Sequence, residues 1–147
     1  MLFRTPRLVL GELTLDDAPF VLALMTEPGF VRWIGDRGVR DVAQARAFIA
    51  QRWLAHYAAH GFGHWCVRLA STGEPIGQAG LVRRDGLEHP DLGYAFLERA
   101  WGRGYAFEAA SAVAELARDR FGLARLQAIV LPDHAASIGL LTKLGFG

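Results

Sequence analysis

Two arginines and two glycines stand close together in the segment Arg99-Ala100-Trp101-Gly102-Arg103-Gly104. Glycine has no Cβ, so a ligand can approach the backbone at Gly102 and Gly104 closely, and the arginines add mobile positive charge. The apolar run from Leu92 to Leu97 predicts a strand before this segment, and the amphipathic run from Gly102 to Phe121 predicts a helix after it. Because the first N–H groups of a helix have no intrahelical partner, this arrangement predicts a phosphate site.

The segment has three alternative interpretations. An ordinary strand-to-helix turn also contains glycines, and a single Gly-x-Gly is common in such turns. The segment differs from a Walker A loop because no Gly-Lys-Ser/Thr follows it. It also fits a dinucleotide fingerprint poorly, since Phe107 stands where the third glycine belongs.

The segment resembles the cofactor loop of the GNAT acyltransferases, Gln/Arg-x-x-Gly-x-Gly/Ala, at every fixed position. Within that superfamily the chain is similar to the RimJ/RimL-type group, which acetylates amines. The resemblance runs from Thr5 to the last residue. The supporting segments are Thr5-Pro6-Arg7-Leu8-Val9-Leu10, Asp91-Leu92-Gly93-Tyr94, Trp101 through Ala109, and Ser137 through Leu144-Gly145-Phe146.

Composition and charge exclude several classes of protein. The 147 residues suit one domain, which we take as residues 1–147, and 52% apolar against 21% charged residues argues against disorder. A net charge of +1 gives no basis for nucleic-acid binding. No apolar run is long enough to span a membrane, and the start of the chain lacks a signal-peptide core. The single cysteine, Cys66, cannot form an internal disulfide, so we expect a cytoplasmic protein.

The periodicity along the chain predicts the order β-α-α-β-β-β-α-β-α. The hairpins in the first half predict antiparallel neighbours, and the strand–helix–strand unit around the loop predicts a crossover with locally parallel strands. The expected fold class is therefore α/β (α+β): a mixed, mostly antiparallel sheet with helices on both faces and a central β-loop-α cofactor site, as the resemblance also implies. The predicted elements are strands Arg7–Leu13, His64–Ala70, Ile76–Val82, Asp91–Leu97 and Leu123–Leu131, helices from Thr14, Asp41, Gly102 and Asp133, and an irregular stretch from Phe30 to Arg40.

The resemblance implies acetyl-CoA as co-substrate and no metal. The loop amides would then hold the pyrophosphate, and the pantetheine arm would lie beside the preceding strand, with one backbone N–H facing the thioester carbonyl. His134 stands where many RimL-like sequences have an Asn that helps to seat the cofactor. The implied cofactor-binding residues are Phe96, Leu97, Arg99, Trp101, Gly102, Arg103, Gly104, Tyr105, Ala106, His134 and Ser137.

The resemblance also implies two catalytic candidates. Ser137 would protonate the departing thiolate, although a serine on a helix face also commonly bonds to its own backbone. Asp91 begins the strand before the loop, and it would draw a proton through water or bind a cationic substrate; an exposed, solvated aspartate is the alternative. We expect Glu108, one turn into the long helix, to complement the helix dipole.

Aromatic residues supply the candidates for an acceptor pocket. The primary candidates are Trp33 and Trp65, with Trp53 and His64 beside them; the alternative is that these side chains belong to the core. His56 and His60 are four residues apart and could share a metal. The sequence offers no evident third ligand, so two solvated histidines at the end of a helix are the better interpretation.

Two functions from different classes follow. The first is an amine N-acetyltransferase whose acceptor is a peptide N-terminus or a small molecule. The second is a CoA-binding sensor or interaction module without turnover, and a dinucleotide oxidoreductase is a distant third. A homodimer is also possible. Because RimL-like proteins continue past Leu144-Gly145-Phe146 with a further strand pair, we expect either a longer natural protein or a second chain covering the strand edge.

Overall fold

The computed structural model describes residues 3–83, 89–123, 126 and 139, and within them the strands form one antiparallel sheet of five. The strands lie in chain order across the sheet, each paired with the next. The antiparallel sheet with helices confirms the expected fold class, whereas the strand predicted at Leu123–Leu131 and the helix after it lie outside the described residues. The strands are β1 (Phe3–Arg4), β2 (Leu8–Glu12), β3 (His64–Leu69), β4 (Pro75–Val82) and β5 (Asp91–Phe96).

Helices precede and follow the hairpins of the sheet. Thr14 caps a short 3-10 turn over Leu15–Asp17 through a capping box with Asp17, which confirms the predicted helix start. The second predicted helix is continuous, but it contains a π-helical stretch over Ile49–Leu54. The helices are α1 (Ala18–Thr26), α2 (Pro28–Trp33), α3 (Val42–Phe48), α4 (Ala55–His60) and α5 (Tyr105–Asp119).

The structure corrects two predicted element bounds. The stretch expected to be irregular from Phe30 begins inside α2, which starts at Pro28 because proline suits the first turn of a helix. The long helix begins at Tyr105 rather than Gly102. Gly102 and Gly104 adopt positive φ angles of 74° and 81°, which interrupt right-handed helical geometry.

The pairing register divides the side chains between two faces of the sheet. Residues directly opposite one another share a face, so Trp65, Ala79 and Tyr94 lie on one side and His64, Gly80 and Gly93 on the other. We call the first the α5 face, because α5 packs on β4 and β5 and the Phe121 ring beyond it stacks on Trp65. We call the second the N-terminal helix face. On both faces these residues of β3 and β4 are buried, whereas Gly93 and Tyr94 of β5 are half-buried. Among the described residues no helix is long and apolar enough to cross a membrane.

Candidate active site

The loop between β5 and α5 leaves the start of a long helix open. A 3-10 turn over Glu98–Ala100 follows β5, and residues 101–104 are exposed. Gly104 is the N-cap of α5, no side chain caps the helix there, and the first helical hydrogen bond runs from Glu108 N to Gly104 O at 3.1 Å. The N–H groups of the first turn are therefore available to a ligand.

The residues of this loop fit an anion with phosphate chemistry. A Cβ built on Gly102 would meet no atom within 4 Å, so open space surrounds the backbone. Arg103 is exposed, and its Nε donates to the Arg99 carbonyl at 3.4 Å. Arg99 forms an exposed ion pair with Glu74, in which Nη2 and Oε1 are 2.6 Å apart. The two predicted cations thus lie at the loop, and one of them is already shared with a carboxylate.

Trp101 connects the loop to the junction of α1 and α2. Its indole Nε1 donates to the Phe96 carbonyl at 2.9 Å, although about half of the side chain (49%) is exposed. The indole lies over Gly29, where an added Cβ would come within 2.5 Å of the ring. Beside it, Glu98 N donates to Glu27 Oε1 at 2.8 Å. The helices that precede the sheet therefore contact the loop directly.

Backbone geometry at the end of β5 separates the roles predicted for Phe96 and Leu97. Leu97 N donates to the Ile76 carbonyl at 2.9 Å, so this N–H belongs to the sheet. The carbonyl of Phe96 points the other way, toward Trp101. Since the N–H and C=O of one strand residue point to the same edge, the Phe96 N–H also faces away from β4. Phe96 is the residue whose backbone is positioned for a ligand outside β5.

Glu108 binds the N-terminal segment, a role that sequence reasoning missed. Its carboxylate accepts hydrogen bonds from Thr5 Oγ1 (2.5 Å), Arg7 N (3.0 Å) and Arg7 Nε (2.7 Å). Partial burial alone would raise the pKa of Glu108, but these donors outweigh it and lower the pKa. The donors lie more than 100 residues earlier in the chain, and no local pattern signals such a contact.

Asp91 lies on the N-terminal helix face, on the same side of β5 as Gly93. It is only 4% exposed, so the alternative of a solvated aspartate is wrong. The His64 ring covers Gly93, since a Cβ there would be 2.9 Å from His64 Nε2. Trp53 stacks on His64 with ring centroids 4.6 Å apart and planes 9° apart. The structure thus brings three of the predicted side chains to one face.

Two further polar atoms on this face were not predicted. Gln78 pairs with Ala95 in β5 and with Cys66 in β3, which places it on the same face as His64. Gln78 Oε1 and Trp53 Nε1 are buried and have no hydrogen-bond partner within the described part of the chain. Buried polar groups normally form hydrogen bonds. An acceptor and a donor without such bonds on this face therefore indicate a place where a polar ligand or water binds.

The other two tryptophans occupy different surroundings. Trp65 lies on the α5 face, is 1% exposed, and packs against Phe3 and Phe121. It is therefore a core residue in this structure and does not share a face with Asp91. Trp33 ends α2, where it is half-buried and lies 4.6 Å beneath the guanidinium of Arg32.

The two histidines of α4 do not form a metal site. The backbone N–H of Arg83 donates to His56 Nε2 at 3.0 Å, so Nε2 carries no proton, and Nδ1 donates to the Phe62 carbonyl at 2.6 Å. Both ring nitrogens are occupied, and the described residues contain no cluster of three or more metal-ligating side chains. The predicted residues His134 and Ser137 lie outside the described ranges.

Comparison with known proteins gives one consistent result. A family model described as "Acetyltransferase (GNAT) domain" matches residues 7–147. The "Uncharacterized N-acetyltransferase YoaA" of Bacillus subtilis (strain 168) is 30% identical over 148 aligned positions, covering 99% of this chain and 82% of YoaA.

Solved structures agree with the family match. The acetyltransferase from Agrobacterium tumefaciens str. C58 is 31% identical and superposes with a TM-score of 0.83, covering 97% of this chain and 81% of that one. An aminoglycoside acetyltransferase, AAC(6')-Ib, solved in complex with coenzyme A, is 20% identical with a TM-score of 0.76, covering 95% of this chain and 84% of that one. The last similarity concerns the fold alone.

Proposed function

Because the chain belongs to the GNAT acetyltransferase family, we propose that it transfers the acetyl group of acetyl-CoA to a primary amine by direct attack. The observation that carries the proposal is the uncapped start of α5 beside an exposed loop with two glycines at positive φ. The family uses acetyl-CoA as its donor. A helix start with free N–H groups suits the phosphates of that donor.

The loop supplies the proposed cofactor site. The N–H groups between Gly102 and Ala106 hold the pyrophosphate, and Arg99, Trp101, Arg103 and Tyr105 complete the surroundings. The backbone of Phe96 pairs with the pantetheine arm on the side of β5 that faces away from β4, and its N–H is the donor that we assign to the thioester carbonyl. We retain His134 as a side chain that seats the cofactor. The N–H of Leu97 is not part of this site, since it serves the sheet.

The chemistry of acetyl transfer assigns roles to the remaining groups. A neutral amine attacks the thioester carbon, the C–S bond breaks, and the departing thiolate takes a proton from Ser137, our candidate general acid. The attacking nitrogen loses a proton, for which Asp91 is our candidate base; its alternative role is to bind the ammonium form of the acceptor. No covalent intermediate on the protein is needed.

The N-terminal helix face is the proposed acceptor side. Asp91, Gln78 and the Trp53–His64 stack present polar groups there, and α2, which carries Trp33, contacts the loop through Gly29 and Trp101. A buried carboxylate and an unsatisfied amide oxygen favour a cationic or hydrogen-bond-donating acceptor. A primary amine meets both descriptions, and we propose a RimJ/RimL-like choice between a protein N-terminus and a small-molecule amine.

Burial of Asp91 favours a second candidate function, a CoA-binding module with little or no turnover. At 4% exposure its carboxylate cannot exchange a proton with an acceptor unless the acceptor opens this face. The replacement of the usual Asn by His134 points the same way. Both candidates share the phosphate site.

A combined binding and acetylation screen tests the proposal. Calorimetry with CoA measures cofactor binding, and mass spectrometry detects acetylation across a panel of N-terminal peptides, polyamines and amino sugars. Thiol release from acetyl-CoA, with and without each amine, gives the rate. CoA binding with amine-dependent acetylation supports the enzyme, CoA binding without turnover on any amine supports the module, and absence of CoA binding contradicts both.

A further inference from the structure

Arg7 lies beside the cofactor loop although it is far away in sequence. Its Nη1 donates to the carbonyl of Arg103 at 2.9 Å, and its Nε donates to Glu108 Oε1 at 2.7 Å. The guanidinium also lies over the ring of Tyr105, 4.5 Å from its centroid. One side chain therefore contacts the loop, the first residue of α5 and the first turn of that helix.

The remaining nitrogen of this guanidinium faces the loop glycine. A Cβ built on Gly104 would lie 3.3 Å from Arg7 Nη2. Within the described ranges Nη2 has no hydrogen-bond partner, while Nε and Nη1 each have one. Arg7 and Gly104 line one open groove of about 560 Å³. An anion held by the loop amides would meet an oriented cation at its side.

The orientation of Arg7 is fixed by Glu108. The carboxylate receives both the backbone N–H and the Nε of Arg7, and Thr5 Oγ1 donates to the same carboxylate. Side chains at 46% exposure usually move freely, but three partners restrain this one. A guanidinium that is already oriented loses little conformational freedom when it binds a phosphate.

We propose that Arg7 is part of the cofactor's phosphate site. It turns the Arg103 carbonyl away from the bound anion and donates from Nη2 to a phosphate oxygen. This inference rests on the proposed function, because the anion is the phosphate of CoA. It assigns to the N-terminal segment a binding role in addition to packing.

Calorimetry with CoA on wild type, Arg7→Gln and Arg4→Gln tests the proposal. Arg4 lies three residues earlier and is exposed, and among the described residues no hydrogen bond or ion pair joins it to the loop, so Arg4→Gln gives the same loss of charge. We expect Arg7→Gln to weaken CoA binding by about 10- to 100-fold, the range for a lost charge-assisted hydrogen bond, and Arg4→Gln to bind CoA as wild type does. Arg7→Lys keeps the positive charge but loses the several N–H donors of the guanidinium, so its CoA affinity is expected to fall between those of the other two variants.

Two further readouts separate phosphate binding from packing. Raising the salt concentration should weaken CoA binding less in Arg7→Gln than in wild type, because one charged contact is missing. Thermal unfolding without CoA shows whether the variants are folded, and Arg7→Lys serves if Arg7→Gln is not. Equal CoA affinity in wild type and a folded Arg7 variant, or an unchanged salt dependence, overturns the proposal while leaving the proposed function intact. Failure of wild type to bind CoA contradicts both.

Discussion

The indole of Trp101 lies against the backbone of Gly29, with ring carbons 2.5 and 2.9 Å from the position that a Cβ would occupy. No other residue type fits at position 29 while the indole stays where it is. Because Trp101 also donates to the Phe96 carbonyl, the loop, the end of β5 and the start of α2 depend on one close approach. The proposed acceptor side and the proposed cofactor site are thus in direct contact.

We expect Gly29→Ala to destabilise the protein by about 1–2 kcal/mol, although alanine favours a helix by about 0.5–1 kcal/mol. The added methyl displaces the indole and breaks its bond to Phe96. In a Trp101→Ala background the clash is absent, so the same change should become neutral or stabilising. Urea unfolding of the four proteins gives the coupling energy. If Gly29→Ala has the same effect in both backgrounds, the contact between Gly29 and Trp101 does not contribute to stability.

Gly104→Val should remove most CoA binding, by about 10-fold or more, because the side chain enters the proposed phosphate site and approaches Arg7. Valine at a φ of 81° is also strained, by about 1–2 kcal/mol. Gly122→Val is the matched control: its φ is 64°, its surroundings are open, and it lies beyond the far end of α5. Calorimetry should show a loss of CoA affinity in the first variant only; equal affinities would place the phosphate elsewhere.

Cys66 should not react with thiol reagents in the folded protein. It is 2% exposed, and burial raises the pKa of its thiol to about 12, so almost no thiolate forms at neutral pH. Iodoacetamide should leave it unmodified during an incubation that labels the urea-unfolded chain completely, as measured by intact mass. Acetylation of Cys66 during turnover would contradict direct attack by the amine.

The pH dependence of the free energy of unfolding should reveal the lowered pKa of His56. Burial, with help from the nearby His60 and Arg52 charges, lowers the pKa of His56 below its usual value. The unfolded chain therefore binds this proton first, and the stabilisation present above about pH 6.5 is lost as the pH falls through the folded-state pKa. Urea unfolding between about pH 7.5 and pH 5 should show a steeper loss in wild type than in His56→Gln. The exposed His60→Gln variant should keep most of the steep loss, because burial and not the His60 charge is the main cause that lowers the pKa of His56. If His56→Gln loses stability as steeply as wild type, the assignment fails.

Ser137→Ala should lower kcat by about 100-fold and leave CoA affinity nearly unchanged, since a general acid acts only as the thiolate departs. Asp91→Asn should also lower kcat, because the candidate base is removed while the shape of the side chain is kept. Both are measured by thiol release with the best acceptor from the acetylation screen. A wild-type kcat in Ser137→Ala would assign this serine to packing.

Local patterns predicted the elements that build the site. Alternation along the strand predicts Leu92 and Phe96 on one side of β5 and Asp91 and Gly93 on the other, and the pairing register agrees. Helical spacing predicts an inner stripe of α5 in which Ala109, Ala110, Val113 and Ala117 are fully buried, as the structure shows, whereas Ala106 on the same stripe is half-buried. Helix and strand periodicity and turn-forming residues are local properties. They depend on residues that are neighbours in the sequence, so the sequence alone reveals them.

Contacts between distant segments could not be predicted in this way. The bond between Thr5 and Glu108 joins residues 103 positions apart, and nothing near Glu108 distinguishes it from an acid that complements the helix dipole. Trp65 and Trp53 are both buried, yet Trp65 stacks on Phe121 on the α5 face and Trp53 stacks on His64 on the other face. Their positions depend on the register of β3 and on how the helix that carries Trp53 packs on the sheet, and both are set by distant contacts. α2 was missed because six residues are too few to show helical periodicity.

The attachment of Thr5 and Arg7 to Glu108 has a consequence for the order of folding. The hairpins β3–β4 and β4–β5 close over short distances, whereas this attachment encloses about 100 residues and costs about 4 kcal/mol in chain entropy. Contacts of such high sequence separation form late. The loop can adopt its local turn early, but the side chains that orient it come last. Acquisition of CoA binding during refolding should therefore lag behind the return of secondary structure.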